Sequence, residues 1–338
     1  MSEPGLHKSA GTFPIFRRSA FARAIVTFLL LAVLFWMVAA RLEIGWRDTW
    51  EMVSSTNPWW YLAAFVTHYA TFAFRGARWR LLIINASRGD SNASEVPSYF
   101  SLSRIILIGW FVNSVAWFRA GDAYRAYLYA RDSGTSFSRS IGIVLADRVI
   151  DLFAVASLML LGIAAMVVQG VVNPPVRLLA AATVFLLLIV AGLFAMSRTR
   201  NWLTDRLPGR LSKAYQHFHT GAIGSFGRMP IVAVLGLLSW MCEVGRLYLV
   251  VLAVGVQITW GLAVFVPMAN GLLAAFPLTP GGLGVVEAGV TGLLQLELLV
   301  EAAIAVTIVD RSISYFSVIA TGGFAFLIKL IRPGTGVN

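Results

Sequence analysis

Apolar runs long enough to cross a bilayer recur along the chain, separated by short basic or broken stretches. They occupy residues 24–40, 58–74, 99–118, 141–168, 178–196, 230–254 and 302–331, with a further apolar stretch from Leu262 to Phe276. A membrane helix needs roughly 20 such residues. The pattern predicts an all-α, polytopic integral membrane bundle of about six spans plus two re-entrant, broken-helix elements.

The breaks carry most of the information. Residues 276–287 read Phe-Pro-Leu-Thr-Pro-Gly-Gly-Leu-Gly-Val-Val-Glu, so a helix from Leu262 should end near Phe276 and another should start after Gly282. Non-helical backbone at membrane depth survives only where protein or a water-filled cavity satisfies it. Residues 99–118 are apolar but run into Arg119-Ala120-Gly121-Asp122-Ala123-Tyr124-Arg125. A re-entrant pair keeps Arg119, Arg125, Arg131 and Arg139 on the cytoplasmic side. Pro174-Pro175 marks the turn of a helical hairpin. Residues 197–229 place Leu203, Leu207, Leu211, Tyr215 and Phe218 at near-helical spacing among basic residues, which predicts a cytoplasmic amphipathic helix on the bilayer.

Composition agrees: 58% of residues are hydrophobic and 13% charged, against about half and a quarter in soluble domains. The net charge of +11 sits mostly in the connecting segments, where it orients the chain and meets anionic lipid rather than nucleic acid. It predicts a cytoplasmic basic tail (1–23), a membrane domain (24–331), a cytoplasmic tail (332–338) and both termini inside a cytoplasmic membrane. Arg75, Arg78, Arg80 and Arg88 then fall in a cytoplasmic loop, Trp59, Trp60 and Tyr61 in an outer aromatic belt, and residues 257–301 toward the outer face. Lys8, Lys213 and Lys329 are the only lysines, and arginine is the better residue for bidentate phosphate contact. Cys242 is the only cysteine, which excludes an internal disulfide. No phosphate loop, nucleophile elbow or zinc helix is present, so no enzyme activity, cofactor or metal is expected. His217 and His219 read as a solvated face.

Two segments share an order of features. The first has Asn113, Arg119-Ala120-Gly121-Asp122 and a helix with Asp147-Arg148-Val149-Ile150; the second has Asn270, Pro280-Gly281-Gly282, Glu287 and a helix with Asp310-Arg311-Ser312-Ile313. Inverted repeats with broken helices are a transporter signature and place the site between the repeats. Charges within membrane helices are costly and face partners or cavities. The candidate substrate-binding residues are therefore Arg119, Asp122, Arg125, Arg148, Asp151, Glu243, Arg246, Pro280, Gly281, Gly282, Glu287, Asp310 and Arg311. Arg148–Asp151 and Glu243–Arg246 can pair one turn apart, and Glu287 can complement its helix dipole, pair with Arg311 or meet a cationic headgroup.

Residues 75–82 (Arg-Gly-Ala-Arg-Trp-Arg-Leu-Leu), 113–125, Asp147-Arg148-Val149-Ile150-Asp151-Leu152 and above all 277–287 resemble the lysylphosphatidylglycerol synthase transmembrane region family, described as flippase-like. The resemblance covers most of the chain from about Ala24. It implies lipid translocation between leaflets, with aminoacylated phosphatidylglycerol as substrate where the region is fused to a synthase. The chain carries no synthase domain, so lipid aminoacylation is not expected, and Trp117-Phe118 stands where the family pattern has a proline before the arginine. The expectation is a translocase of an anionic or aminoacylated phospholipid or lipid-linked headgroup, served by a separate synthase or transferase chain. An accessory protein for a lipid- or glycolipid-modifying enzyme and an integral-membrane transferase are the alternatives.

Overall fold

Asn57 opens the helix on which the others are assembled. Its side chain accepts the backbone N–H groups of Trp59 and Trp60 at 3.0 and 3.3 Å, with Pro58 in the first helical position. In the computed structural model, which describes residues 45–88, 96–171, 176–274 and 279–331, 85% of the described residues are helical and none is in a strand. Short α1 (Trp46–Ser54) precedes α2 (Pro58–Ala86). Then follow α3 (Tyr99–Val115), α4 (Ala120–Ser133), α5 (Phe137–Val168), α6 (Val176–Arg198), α7 (Arg200–Arg206), α8 (Gly209–Gly224) and α9 (Met229–Val254). The last part contains α10 (Trp260–Leu273), a 3-10 turn (Pro280–Gly282), α11 (Val285–Leu294), α12 (Val300–Arg311), a π-helical turn (Ser312–Ser317) and α13 (Val318–Ile331). The basic tail and first apolar run, the Pro174-Pro175 turn, residues 276–278 and the tail at 332–338 lie outside the described residues.

Three helical stretches among the described residues are long and apolar enough to cross a membrane: Phe137–Val168, Met229–Val254 and Val300–Ile331. Helix α2 reaches the length with 29 residues, about 44 Å at 1.5 Å per residue, but carries arginines inward. This corrects the expected end near Phe74. The helix runs through Arg75 and Arg78, which are buried at 5% and 0% exposure rather than lying in a loop, because carboxylates of α5 receive them. The two broken elements are α3–α4 and α10–α11.

The packing is reciprocal between the two halves. Helix α2 lies along α9, α5 of the first half packs on the broken α10 of the second, and α13 packs on the broken α3 of the first. Each apolar core borrows from the other half. Phe72, Leu82, Ile105 and Ile143 enclose Val232 and Val318, while Val250, Val266, Val286 and Val306 enclose Ala64 and Met166. The long helices expose apolar side chains such as Leu161, Leu187, Phe316 and Phe324 and bury the charges of Arg75, Arg78, Asp147, Asp151, Arg246 and Asp310, the reverse of a soluble protein. Trp59 and Trp60 are exposed, whereas the Tyr61 hydroxyl turns to Ser312 at 3.0 Å.

The segment at 197–229 differs from the single amphipathic helix expected. Pro208 separates α7 from α8, and α8 packs on α5 through small residues. A Cβ on Gly221 would strike the carbonyl of Arg139, and one on Gly142 the carbonyl of Phe218. His217 is exposed as expected, but His219 is buried in that contact.

Candidate functional site

Both breaks are built by positive backbone angles and closed by a polar side chain. Helix α3 ends at Val115, and Phe118 and Arg119 then adopt φ of 58° and 51°, a conformation costing non-glycine residues about 1–3 kcal/mol each. Asn113 reaches across the turn to accept the Gly121 N–H at 2.8 Å, satisfying a free donor of α4. In the second break Gly281, Gly282 and Gly284 adopt φ of 61°, 73° and 81°, where glycine alone is unstrained. Glu287 accepts the Gly284 N–H at 2.6 Å and starts α11. The carbonyl ends of both broken helices are then satisfied by the opposite half. Tyr315 donates to the Ser114 carbonyl at 3.1 Å, and Arg119 to the Ala274 carbonyl at 3.0 Å.

Around α5 the arginines outnumber the carboxylates among the described residues. Arg78 contacts Asp147 at 2.7 Å and Asp151 at 2.9 Å. Arg125 contacts Asp147 at 2.9 Å, and Arg75 meets Asp151 at 3.1 Å. Arg148 bridges Asp122 at 2.7 Å and Asp151 at 3.1 Å, while Arg119 lies 3.5 Å from Asp122. The Trp240 indole N–H adds a bond to Asp151 at 3.0 Å. Arg75 lies against the rings of Trp110 and Trp240 and Arg125 against Trp79, at 4.7–5.3 Å from the ring centroids, cation–π contacts that help hold a desolvated guanidinium.

The same wiring recurs around α12 with fewer cations. Arg246 of α9 contacts Asp310 at 2.6 Å, as Arg78 of α2 contacts Asp147. Arg311 contacts Glu287 at 2.7 Å, as Arg148 contacts Asp122. Asp122 and Glu287 are each the third residue of the helix that follows a break. The motif is thus a long-helix arginine on the aspartate of an Asp-Arg pair, with the arginine of that pair on the acid after the break. Arg246 also holds Glu243 at 3.1 Å, and His68 lies 3.8 Å from Glu243.

The two clusters open onto one cavity of about 430 Å³, within the range of small-ligand sites. Arg75, Arg119, Arg148, Arg246 and Arg311 line it against Asp122, Asp151 and Glu243, an excess of two positive charges among the described residues. Asn113, Asn270, Gly281, Gly282 and Tyr315 come from the breaks. Phe118 also lines it and is 79% exposed, so the cavity opens on that side. Residues 21–322 match the sequence profile described as Lysylphosphatidylglycerol synthase TM region. The chain belongs to that family.

Among curated relatives, the UPF0104 membrane protein MJ1078 of Methanocaldococcus jannaschii is 29% identical over 64% of this chain and 94% of its own length. A UPF0104 membrane protein of Methanothermobacter thermautotrophicus is 26% identical over 88% of this chain and 90% of its own. The Haloferax volcanii protein named Glycosyltransferase AglD is 26% identical over 90% of this chain but only 54% of itself.

Of the residues singled out in this family member's sequence, Arg119, Asp122, Arg148, Asp151, Glu243, Arg246, Gly281, Gly282 and Arg311 line the cavity. Arg125, Asp310 and Glu287 stand behind that lining as partners of Asp147, Arg246 and Arg311, and Pro280 begins the 3-10 turn. Sequence reasoning passed over His68, Trp110 and Trp240 and placed Arg75, which lines the cavity, in a loop. The signal available for Arg75 and Arg78 was their three-residue spacing, which puts both on the same face of α2 as His68, seven residues before Arg75.

Proposed function

We propose that the chain translocates an anionic or aminoacylated phospholipid, or a lipid-linked headgroup, between membrane leaflets. The observation that carries this reading is the cavity's lining of five arginines against three carboxylates among the described residues. Arg119 and Arg148, with side chains 30% and 24% exposed, are the most exposed of the five guanidiniums, and arginine's planar fork suits bidentate binding of phosphate oxygens. The headgroup enters past Phe118 while the acyl chains stay in the bilayer, since a cavity of this size holds a headgroup only. Asp122, Asp151 and Glu243 hold the arginines in place and limit the positive excess, which allows release as well as capture.

Movement follows from the reciprocal contacts. Releasing Arg119 from Ala274 frees one break, and releasing Tyr315 from Ser114 frees the other, so the cavity faces one leaflet at a time. No bond of the lipid is made or broken, so the chain is a carrier rather than an enzyme and needs no cofactor. It works in the cytoplasmic membrane with both termini inside, as the arginine distribution between the apolar runs suggests, beside a separate synthase or transferase chain. The relative named Glycosyltransferase AglD, about half of which this chain matches, favours a second reading, in which this region serves a glycolipid-modifying enzyme as an accessory.

Vesicles reconstituted with the purified chain and a trace of head-labelled phosphatidylglycerol or phosphatidylcholine test the proposal. Exchange of the anionic probe to the outer leaflet, well above that in empty vesicles and faster than the zwitterionic probe, supports it. Anionic, aminoacylated and polyprenyl-phosphate probes all staying at the empty-vesicle rate would sink it in favour of the accessory role.

A further inference from the structure

Around Arg246, one side of the cavity holds two carboxylates for one guanidinium. Arg246 is shared between Glu243 at 3.1 Å and Asp310 at 2.6 Å, so with both acids ionised this group keeps one negative charge in excess. A charge left uncompensated away from water is unfavourable enough that such groups take up a proton instead. His68 of α2 is in reach. It is fully buried, with Nδ1 3.8 Å from Oε1 of Glu243. Neither of its ring nitrogens, nor that carboxylate oxygen, makes a hydrogen bond among the described residues. A buried histidine placed for packing commonly settles a ring N–H on an acceptor. This one faces a carboxylate just beyond hydrogen-bond reach, and both groups line the cavity.

The charged and titratable groups facing His68 are Glu243 and Arg246 on α9, Asp310 on α12, and Arg75 on its own helix. The rings of Tyr69 and Trp110 pack beside it. Arg75 directs its guanidinium to Asp151 at 3.1 Å, a carboxylate it shares with Arg78 and Arg148, and makes no ion pair with Glu243, so beside Arg246 the group in reach of that carboxylate among the described residues is His68.

We propose that His68 and Glu243 form the proton-binding site of the cavity, so that an anionic headgroup and one proton occupy it together. This rests on the cavity being an anion site. A hydronium ion in the cavity gives its proton to an imidazole nitrogen, one O–H bond breaking as one N–H bond forms and water remaining, and the imidazolium beside Glu243 returns the proton to water when the cavity faces the other leaflet. One proton accompanies one headgroup. Opposite unit charges about 10 Å apart at an effective dielectric of about 20 strengthen each other's binding by roughly tenfold. By linkage the effect is equal in both directions.

Calorimetric titration of the full chain with dihexanoyl-phosphatidylglycerol, in two buffers of different ionisation enthalpy, measures proton uptake on binding directly. The expected result is uptake of up to about half a proton, the most that tenfold coupling allows, with binding that tightens by up to roughly tenfold as pH falls from 8 to 5.5. His68→Gln should bind the lipid without uptake and with affinity independent of pH. Glu243→Gln, which keeps the side-chain shape and an acceptor for Arg246, should give the same loss and serves if the first variant fails to fold. Lipid binding by the unsubstituted chain without proton uptake, or uptake that survives His68→Gln, would overturn the proton site while leaving the anion cavity standing. Failure of the unsubstituted chain to bind the lipid at all would overturn both.

Discussion

Around Asp147 and Asp151 five arginines converge on three aspartates, whereas around Asp310 and Glu243 a single arginine serves both acids beside a histidine. The wiring is otherwise the same. In each half a long-helix arginine holds the aspartate of an Asp-Arg pair, and the arginine of that pair holds the third residue after a break. The comparison separates what the repeat needs in order to fold from what each half adds. The shared contacts position the breaks, to which one half adds further arginines and the other a second carboxylate with a histidine beside it.

Of the shared contacts, those of the long-helix arginines should be the most costly to remove. Arg246→Ala would leave buried Asp310 and Glu243 without their arginine, and breaking a buried pair typically costs about 3–5 kcal/mol. A marked loss of folded yield and of melting temperature in detergent is expected, with Arg78→Ala showing a smaller loss because Arg125 stays on Asp147 and Arg75 and Arg148 stay on Asp151. Tolerance of either substitution would mean that the halves are not built on the same plan.

Arg148→Gln comes next. It leaves Arg75 and Arg78 on Asp151 but removes one guanidinium from the cavity, and a hydrogen bond to a charged group is worth about 1.5–3 kcal/mol. Affinity for short-chain phosphatidylglycerol should fall at least tenfold with little change in melting temperature. Arg311→Gln should instead act mainly on translocation rate, because Arg311 ties Glu287 and the Gly281 carbonyl into the second break.

Gly281→Ala should have a smaller effect on stability, about 1–2 kcal/mol. The residue has φ of 61°, and an added Cβ would lie 3.2 Å from the Ser114 backbone and collide with the Tyr315 ring. The expected readout is slowed lipid exchange in vesicles, through disturbance of the Tyr315–Ser114 contact. The smallest change should follow Glu287→Gln. Its side chain is 25% exposed, and the amide oxygen can still accept the Gly284 N–H, so thermal unfolding should shift by under about 1 kcal/mol. A large loss of folded protein would show that Glu287 belongs to the folding framework.

The sequence made the local features legible and left the long-range ones hidden. Pro280, the glycines at 281, 282 and 284, and Glu287 announce a break and a new helix because their effect is on the backbone next to them. The one-turn pairs Arg148–Asp151 and Glu243–Arg246 follow from helical spacing alone. Arg75 and Arg78 were misplaced into a loop because a guanidinium after an apolar run is indistinguishable from a membrane-edge charge until its partner is known. That partner lies about seventy residues away, with Asp151 separated from Arg75 by 76 positions. His219 was misread for a related reason: it is buried on α8, and the close approach of α8 to α5 at Gly142 and Gly221 is a long-range contact that the local sequence does not show. His68 gave no signal of its own, since one histidine in an apolar run acquires meaning only from the carboxylate opposite.

The central claim, that the arginine-rich half binds the phosphate of a lipid headgroup, is tested most directly by comparing the affinities of dihexanoyl-phosphatidylglycerol and dihexanoyl-phosphatidylcholine for the unsubstituted chain and for Arg148→Gln. The account predicts at least a tenfold preference for the anionic lipid, weakened by added salt and largely abolished by the substitution. Equal affinities for the two lipids, or a preference that Arg148→Gln leaves intact, would contradict it.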